Sequence, residues 1–378
     1  MRIALIAPTS IPARTANSIQ VMKMAQALAS LGHFVYLVAP GTSPGAPWEY
    51  LAPHYGLPTD QPETLEIGWL PRSKFWRGYD YARKAVQRAK DWNADLIYTR
   101  LPQAAALASS QHLTTIFEIH DLPTGRMGPF LFRRFLSGKG ARRLVAITQA
   151  LADDLAGQFD APREAPFTLI APDGVDLERF ADLPAPAQAR RDLKLADRFT
   201  AGYTGHLYPG RGVELLLDVA AQLPEVRFLL VGGEPADVQR VQAQVEDAKM
   251  RNLTLTGFIR NAELPRYQAA CDLLLMPYQA RVSASSGGDI SRYLSPMKLF
   301  EYLACGRAIL SSDLPVLQEV LNADNAMILP AADASAWAQA IQQLQAEPVT
   351  REKIALNARQ TAQKHSWKAR AEHILDSL

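Results

Sequence analysis

Ile3-Ala-Leu-Ile-Ala7 is an unbroken apolar run; the amphipathic stretch Ser18 to Ser30 follows, then Gly32, then a second apolar run, Phe34-Val-Tyr-Leu-Val-Ala39. Short apolar runs bounded by turn residues describe strands buried on both faces, and the helical spacing between them describes a crossover packed against those strands. The three pieces predict a βαβ unit and hence a parallel sheet. Ala94 to Tyr98, Thr115 to Ile119, Arg143 to Ile147 and Phe167 to Ala171 are further strand candidates separated by helical or loop material. Repetition of the unit predicts an α/β fold with helices on both faces of a mostly parallel sheet.

At 378 residues the chain is too long for one ordinary core. Around Leu183 to Asp197 the composition turns to Pro, Ala and alternating charge, the pattern of an exposed linker. The strand and helix pattern then restarts with Phe199 to Tyr203, Gly212 to Gln222 and Val226 to Val231. It continues through Leu253 to Thr256, Leu273 to Met276 and Ala308 to Ser311, with helices from Ala262 and Ser295 between them. Amphipathic stretches at Ala334 to Gln345 and Trp367 to Leu378 complete it. The expectation is two Rossmann-like doubly wound domains, 1–183 and 184–364, facing a central cleft, with the terminal helix in 365–378 packing back on the first. In open α/β sheets, ligands sit beyond the carboxyl ends of the strands.

Composition narrows the function. With 48% hydrophobic and 21% charged residues, the chain reads as a globular protein, and a net charge of +2 does not announce a nucleic-acid binder. Cys271 and Cys305 lie far apart inside apolar runs, which suits reduced core residues in a reducing compartment. The apolar run at the N-terminus is shorter than a signal peptide requires, and no stretch is long enough to span a bilayer. A cytoplasmic protein is expected. Neither a D-x-D pair nor a His/Cys cluster with metal spacing occurs, so no metal or other cofactor is expected.

The segment with the clearest chemistry is Ser295-Pro-Met-Lys-Leu-Phe-Glu-Tyr-Leu-Ala-Cys-Gly306. Ser295 suits an N-cap, Pro296 the first helical position and Gly306 the far end. An acid would suit the positive end of the helix, yet Lys298 stands there. A cation beside the unpaired amides of a first turn makes a phosphate pocket. Glu301, one turn on, suits the paired hydroxyls of a ribose, whereas a solvated Lys–Glu pair would be the plain alternative. Thr204-Gly-His-Leu-Tyr-Pro-Gly-Arg-Gly212 joins a strand to a helix, with glycines that permit close approach and a forked cation at Arg211. It matches neither the dinucleotide fingerprint nor a P-loop. Ala284-Ser-Ser-Gly-Gly-Asp-Ile-Ser291 offers a further run of backbone amides.

In order and spacing, these pieces resemble the retaining glycosyltransferases of family 4, which have the GT-B fold. The likeness rests on Gly202-Tyr-Thr-Gly-His206, Arg211-Gly212, Gly257-Phe-Ile, Asp272 to Pro277, the Ser295–Gly306 segment and Ser312-Asp-Leu-Pro315. In the first half it rests on Gly32-His33, Glu118-Ile-His-Asp121, Ala146-Ile-Thr148 and Pro172-Asp-Gly-Val-Asp176. The resemblance implies sugar transfer with retention from a nucleoside-diphosphate sugar, with UDP or GDP as the nucleotide and a glycan, lipid-linked or small-molecule acceptor. It also implies a place in cell-envelope glycan synthesis. The donor would serve as co-substrate, and its leaving diphosphate would assist attack from the same face without a metal.

Residue by residue, the resemblance makes Arg211 and Lys298 the cations on the diphosphate, and Glu301 the ribose-binding acid. His120 becomes the histidine on the transferred sugar. Gly205, His206, Gly287, Gly288, Asp289, Ser295 and Leu299 fall on the donor side; Ala16, Asn17, Ser18 and Arg100 fall on the acceptor side. Three departures stand out. Tyr293 occupies the place of the family's first acid, with Asp289 as a substitute from the preceding loop; His206 replaces an arginine; and Ala16-Asn17-Ser18 replaces a glycine pair. Tyr293 and His206 keep open a non-catalytic nucleotide-sugar-binding protein; the other alternative is a GT-B-like sugar-nucleotide epimerase, which would demand acid/base carboxylates or histidines facing the sugar in both halves, and the second half offers few. Finally, basic and aromatic residues alternate in Arg72-Ser-Lys-Phe-Trp-Arg77 and continue through Arg83, Lys84, Arg88 and Lys90. The pattern returns in Phe130-Leu-Phe-Arg-Arg-Phe135 with Lys139, Arg142 and Arg143. Such segments suit either a solvated basic face or peripheral contact with anionic lipid.

Overall fold

The computed structural model describes residues 1–73, 78–283 and 288–378. Met1–Asp173 with Trp367–Leu378 form one compact unit, and Gly174–Ser366 form a second. Among the described residues the first unit carries seven parallel strands. They are β1 (Arg2–Ile6), β2 (Phe34–Pro40), β3 (Leu65–Leu70), β4 (Leu96–Thr99), β5 (Thr115–Ile119), β6 (Ala141–Ala146) and β7 (Thr168–Ile170), in the order β3-β2-β1-β4-β5-β6-β7. The second unit carries β8 (Thr200–Thr204), β9 (Arg227–Val231), β10 (Leu253–Leu255), β11 (Leu273–Met276), β12 (Ala308–Ser312) and β13 (Met327–Leu329). Their order is β10-β9-β8-β11-β12-β13, again all parallel. Among the described residues no helix is long and apolar enough to cross a membrane.

Alternation along each strand explains the layers. Phe228 and Leu230 of β9 enter one core cluster, with Tyr203, Leu216 and Trp337, while Leu229 and Val231 enter the other, with Met276, Phe300 and Leu303. Successive side chains leave opposite faces of a strand, so apolar residues at every position require cover on both sides. In each sheet the order reverses beside the first strand, between β1 and β4 and between β8 and β11. Loops leaving the carboxyl ends of those pairs diverge to opposite faces and open a crevice.

The two units divide after Asp173, ahead of the expected 183/184 boundary, and Leu183 to Asp197 is not an exposed linker. Pro186–Asp192 is a helix in which Ala189 and Arg190 are buried. Arg190 donates to Asp272 Oδ2 at 2.8 Å, to the Ala270 carbonyl at 3.0 Å and to Asp197 Oδ1 at 2.8 and 2.9 Å. Composition alone cannot report that a charged residue has buried partners 80 positions away.

The basic segments also sort differently from the expectation. Arg143 is 1% exposed and donates to the carbonyls of Pro166 and Ile374, and Phe132 and Phe135 pack in the interior against Phe117. Neither they nor Arg143 can face a lipid surface. Arg83, Lys84, Arg88, Lys90, Arg133, Arg134, Lys139 and Arg142 are exposed, as are Met127 and Phe130. Lys74 to Arg77 of the earlier segment lie outside the described residues.

Arg190→Ala removes the cation from the half-buried Asp272 carboxylate and leaves it the Thr200 amide at 2.8 Å. The expected cost is about 3 kcal/mol, read as a lower urea midpoint for unfolding of the second unit.

Candidate active site

At the carboxyl ends of β8 and β11 the second unit collects positive charge. Gly205 leaves β8 at φ +134°, and a β-carbon there would lie 3.0 Å from Lys298 Nζ, so glycine keeps the lysine head against the backbone. Gly212, at φ +80°, opens the Val213–Gln222 helix, and a β-carbon would fall 1.8 Å from the Pro277 carbonyl oxygen. That closeness draws the β8 loop, with Arg211, onto the end of β11. Arg211 donates from Nη1 to the Tyr278 hydroxyl at 3.1 Å, and its guanidinium carbon lies 5.3 Å from the centre of the same ring. Lys298 Nζ lies 5.1 Å from that ring and 3.8 Å from the ring of Tyr203.

Lys298 and Arg211 therefore meet around Tyr278. Lys298 Nζ and Arg211 Nε are both buried without a hydrogen-bond partner. Burial first, then the neighbouring guanidinium, pull the Lys298 ammonium well below its usual range, against the opposing influence of Glu301. Aromatic faces compensate such a cation in part, but two buried cations with no carboxylate bonded to either form a place that an anion would relieve.

Ser295 is not the N-cap of the helix that follows. The helix runs Met297–Cys305 with Pro296 as its cap, extended at φ −82° and ψ 126°, and no side chain caps it. The prolyl carbonyl accepts from the Leu299 amide at 2.9 Å. Lys298 thus stands in the first turn of the helix. Gly306 closes the helix in the left-handed conformation.

Glu301 Oε2 accepts from Gln268 Nε2 at 3.1 Å, and Gln268 also lies 3.3 Å from Thr204 Oγ1. His206 stacks on Tyr208 at 4.6 Å, with its carbonyl taking the Tyr203 hydroxyl, and Leu299 is buried. Asp289 acts as a staple of its own loop: Oδ1 accepts from the amides of Ser291 and Val282, each at 3.0 Å, and these hold the carboxyl below its usual range. Tyr293, in the place of the absent acid, is buried. Gly288 takes φ +88°, and Gly287 lies outside the described residues. Gln268 and Tyr278 carry no motif of their own, and sequence reasoning missed them; Tyr203 lies within the Gly202–His206 motif, but sequence reasoning gave it no role there.

In the first unit, the crevice between β1 and β4 receives the start of the Ala16–Ser30 helix. Ala16 is exposed, Asn17 Oδ1 is buried without a hydrogen-bond partner, and the Ser18 hydroxyl is taken by the carbonyls of Ala13 and Thr15 at 2.7 and 2.8 Å. Ser18 is therefore occupied with the turn, while Asn17 retains an acceptor. Arg100, just beyond β4, donates to Gln20 Oε1 at 2.9 Å. His120 follows β5, its Nε2 lying 2.5 Å from Glu118 Oε1. Burial, then the charge of Arg100, lower the imidazole to about 4 in spite of Glu118. Burial alone would raise the Glu118 carboxyl, but Arg370, followed by His120 and Arg100, holds it well below the usual carboxylate range. Among the described residues, no group of three or more His, Cys, Asp or Glu side chains is placed to hold a metal ion.

Comparison with known proteins agrees with this organisation. Residues 198–347 match the model of the glycosyl transferases group 1, and residues 18–179 match that of glycosyltransferase family 4. A phosphatidyl-myo-inositol mannosyltransferase of Mycolicibacterium smegmatis is 22% identical over 99% of this chain and 92% of its own length. A D-inositol 3-phosphate glycosyltransferase of Saccharomonospora viridis is 27% identical over 82% of this chain and 66% of its own. Among solved structures, a sucrose-phosphate synthase from Thermosynechococcus elongatus superposes with a TM-score of 0.75 at 21% identity, covering 98% of this chain and 96% of that one. Anabaena HepE in complex with UDP and glucose superposes with a TM-score of 0.73 at 21% identity over the whole of both chains. Two Rossmann-like units matched in turn by these two models, across most of the chain, make this protein a GT-B glycosyltransferase belonging to family 4.

Proposed function

We propose that this glycosyltransferase moves a sugar, with retention and without a metal, from a UDP- or GDP-sugar to a glycan, lipid-linked or small-molecule acceptor. The observation that carries the reading is the pair of buried cations, Lys298 and Arg211, gathered around Tyr278 with no acid bonded to either. A diphosphate answers both the charge and the unfilled donors. In the reaction, the bond between the anomeric carbon and the diphosphate oxygen breaks as the acceptor oxygen bonds to that carbon. The acceptor proton passes to the departing phosphate. Lys298 and Arg211 stabilise the charge that grows on the leaving oxygen, a term that preorganised donors in a dry site supply most effectively. Glu301, steadied by Gln268, accepts the ribose hydroxyls.

His120 is assigned to the transferred sugar and Asn17, with its unfilled buried oxygen, to the acceptor side. UDP and glucose in the HepE complex support the donor class, and the lipid and phosphorylated polyol named in the two relatives support the breadth of acceptors. The exposed cations of Tyr79–Asp91 and Met127–Leu136, with Met127 and Phe130 beside them, support peripheral contact with an anionic leaflet.

Incubation with donor alone and then with an acceptor panel distinguishes the readings. Nucleotide release that depends on acceptor is the expected result; an epimerised donor, or binding without turnover, would transfer the assignment to one of the alternatives. Lys298→Met replaces an unpaired buried ammonium by an apolar chain of similar length. The free protein is expected to melt about 2–4 °C higher, and the melting shift given by UDP or GDP to disappear. His120→Ala is expected to remove most turnover and leave nucleotide binding intact, which initial rates and calorimetric titration will show. At low salt the protein is expected to sediment with anionic vesicles, and the double exchange Arg133→Glu with Arg134→Glu to weaken this; recovery entirely in the supernatant counts against membrane contact.

A further inference from the structure

Glu118 and His120 are two positions apart at the end of β5, so both side chains leave the same face. Glu118 is 1% exposed and its carboxylate is surrounded by donors. Oε1 lies 2.6 Å from Gln20 Nε2 and 2.5 Å from His120 Nε2; Oε2 takes the Tyr98 hydroxyl and lies 3.0 Å from Arg370 Nη2. Arg370 comes from the last helix of the chain, Trp367–Leu375. It is itself fixed by the carbonyls of Pro172 and Ala171 at 2.8 and 3.0 Å.

We propose that Glu118, held by Arg370, Tyr98 and Gln20, is a positioning residue that fixes His120 as the neutral tautomer protonated on Nε2, so that Nδ1 offers its lone pair to a hydroxyl of the transferred sugar. The proposal rests on the glycosyltransfer reading for that last step. An ionised carboxylate has about four lone-pair sites and no hydrogen to give. Here four partners surround it, and a permanent guanidinium keeps it ionised. Nε2 must therefore donate, because a bare ring nitrogen at 2.5 Å would set lone pair against lone pair. The groups around the Glu118–His120 pair are Tyr98 and Arg100 at the end of β4, Gln20 on the Ala16–Ser30 helix, Asp173 after β7, and Arg370 on the last helix. Among them Arg100 and Arg370 oppose a second proton on the ring. Nδ1, on the far side of the ring, makes no hydrogen bond among the described residues, and the side chain keeps 21% of its surface open.

Nitrogen NMR of the intact chain labelled in its imidazoles, with no substrate present, tests the tautomer; comparison with His120→Asn identifies the signal. The expected result at pH 7 is a proton bonded to Nε2 and none on Nδ1. A proton on Nδ1, or equal populations, would overturn the assignment whether or not the protein transfers sugar. Glu118→Gln gives the kinetic test: both tautomers appear, kcat falls about a hundredfold, and KM for the donor stays within about threefold. Unaltered kcat would overturn the positioning role, as would a loss confined to KM. If that variant does not fold, the wild-type spectrum decides alone.

Discussion

Two buried cations without a bonded carboxylate, Lys298 and Arg211, set the terms for the second unit. A folded chain ordinarily avoids such a pair, since each buried charge loses its hydration and each repels the other. Here the cost is offset by the ring of Tyr203 under the lysine head and by Tyr278, which both bonds and faces the guanidinium. The close approaches at Gly205 and Gly212 make the same sense. Each removes a β-carbon that would push one cation away from the other or lift the β8 loop off the end of β11. Stability is thus given up locally in return for a place already shaped for an anion, a common bargain at functional sites.

The first unit solves a related problem in the opposite way. Its buried acid, Glu118, is saturated with donors, and its buried guanidinium, Arg370, is saturated with acceptors. Such a network is rigid because no member can turn without stranding another. Rigidity there would hold the His120 imidazole against Glu118 in one orientation. The open charge in one unit and the closed network in the other are different uses of the same low-dielectric interior.

How much of this was legible in the sequence depended on the range over which each feature is written. Strands buried on both faces declare themselves in a few consecutive residues: Thr115–Ile119 and Leu273–Met276 have the bounds that their apolar runs implied. Two strands were not read: β13, and β3, which mixes Glu66 and Gly68 into its run. The Pro348–Ala362 helix was overlooked because only Ile354, Ala358 and Ala362 are buried, a stripe one residue wide on an otherwise polar cylinder. Arg211, Lys298 and Glu301 stood out through glycine spacing and a reversed helix-end charge. Gln268 and Arg370 did not, because what distinguishes each is a partner 33 or more positions away.

The small bridge between Val175 and Ser366 joins residues that begin and end the second unit, with the Val175 amide bonded to the His365 carbonyl at 2.9 Å. Its two ends are therefore neighbours. In chain topology the whole of Gly174–Ser366 is a cassette inserted between Asp173 and Trp367 of the other unit. Adjacent ends are what make a module transplantable: it can be gained, lost or exchanged for one with another ligand preference without rethreading the host. The host, in contrast, takes Arg370 from beyond the cassette, so a ribosome must finish the cassette before Arg370 exists to meet Glu118.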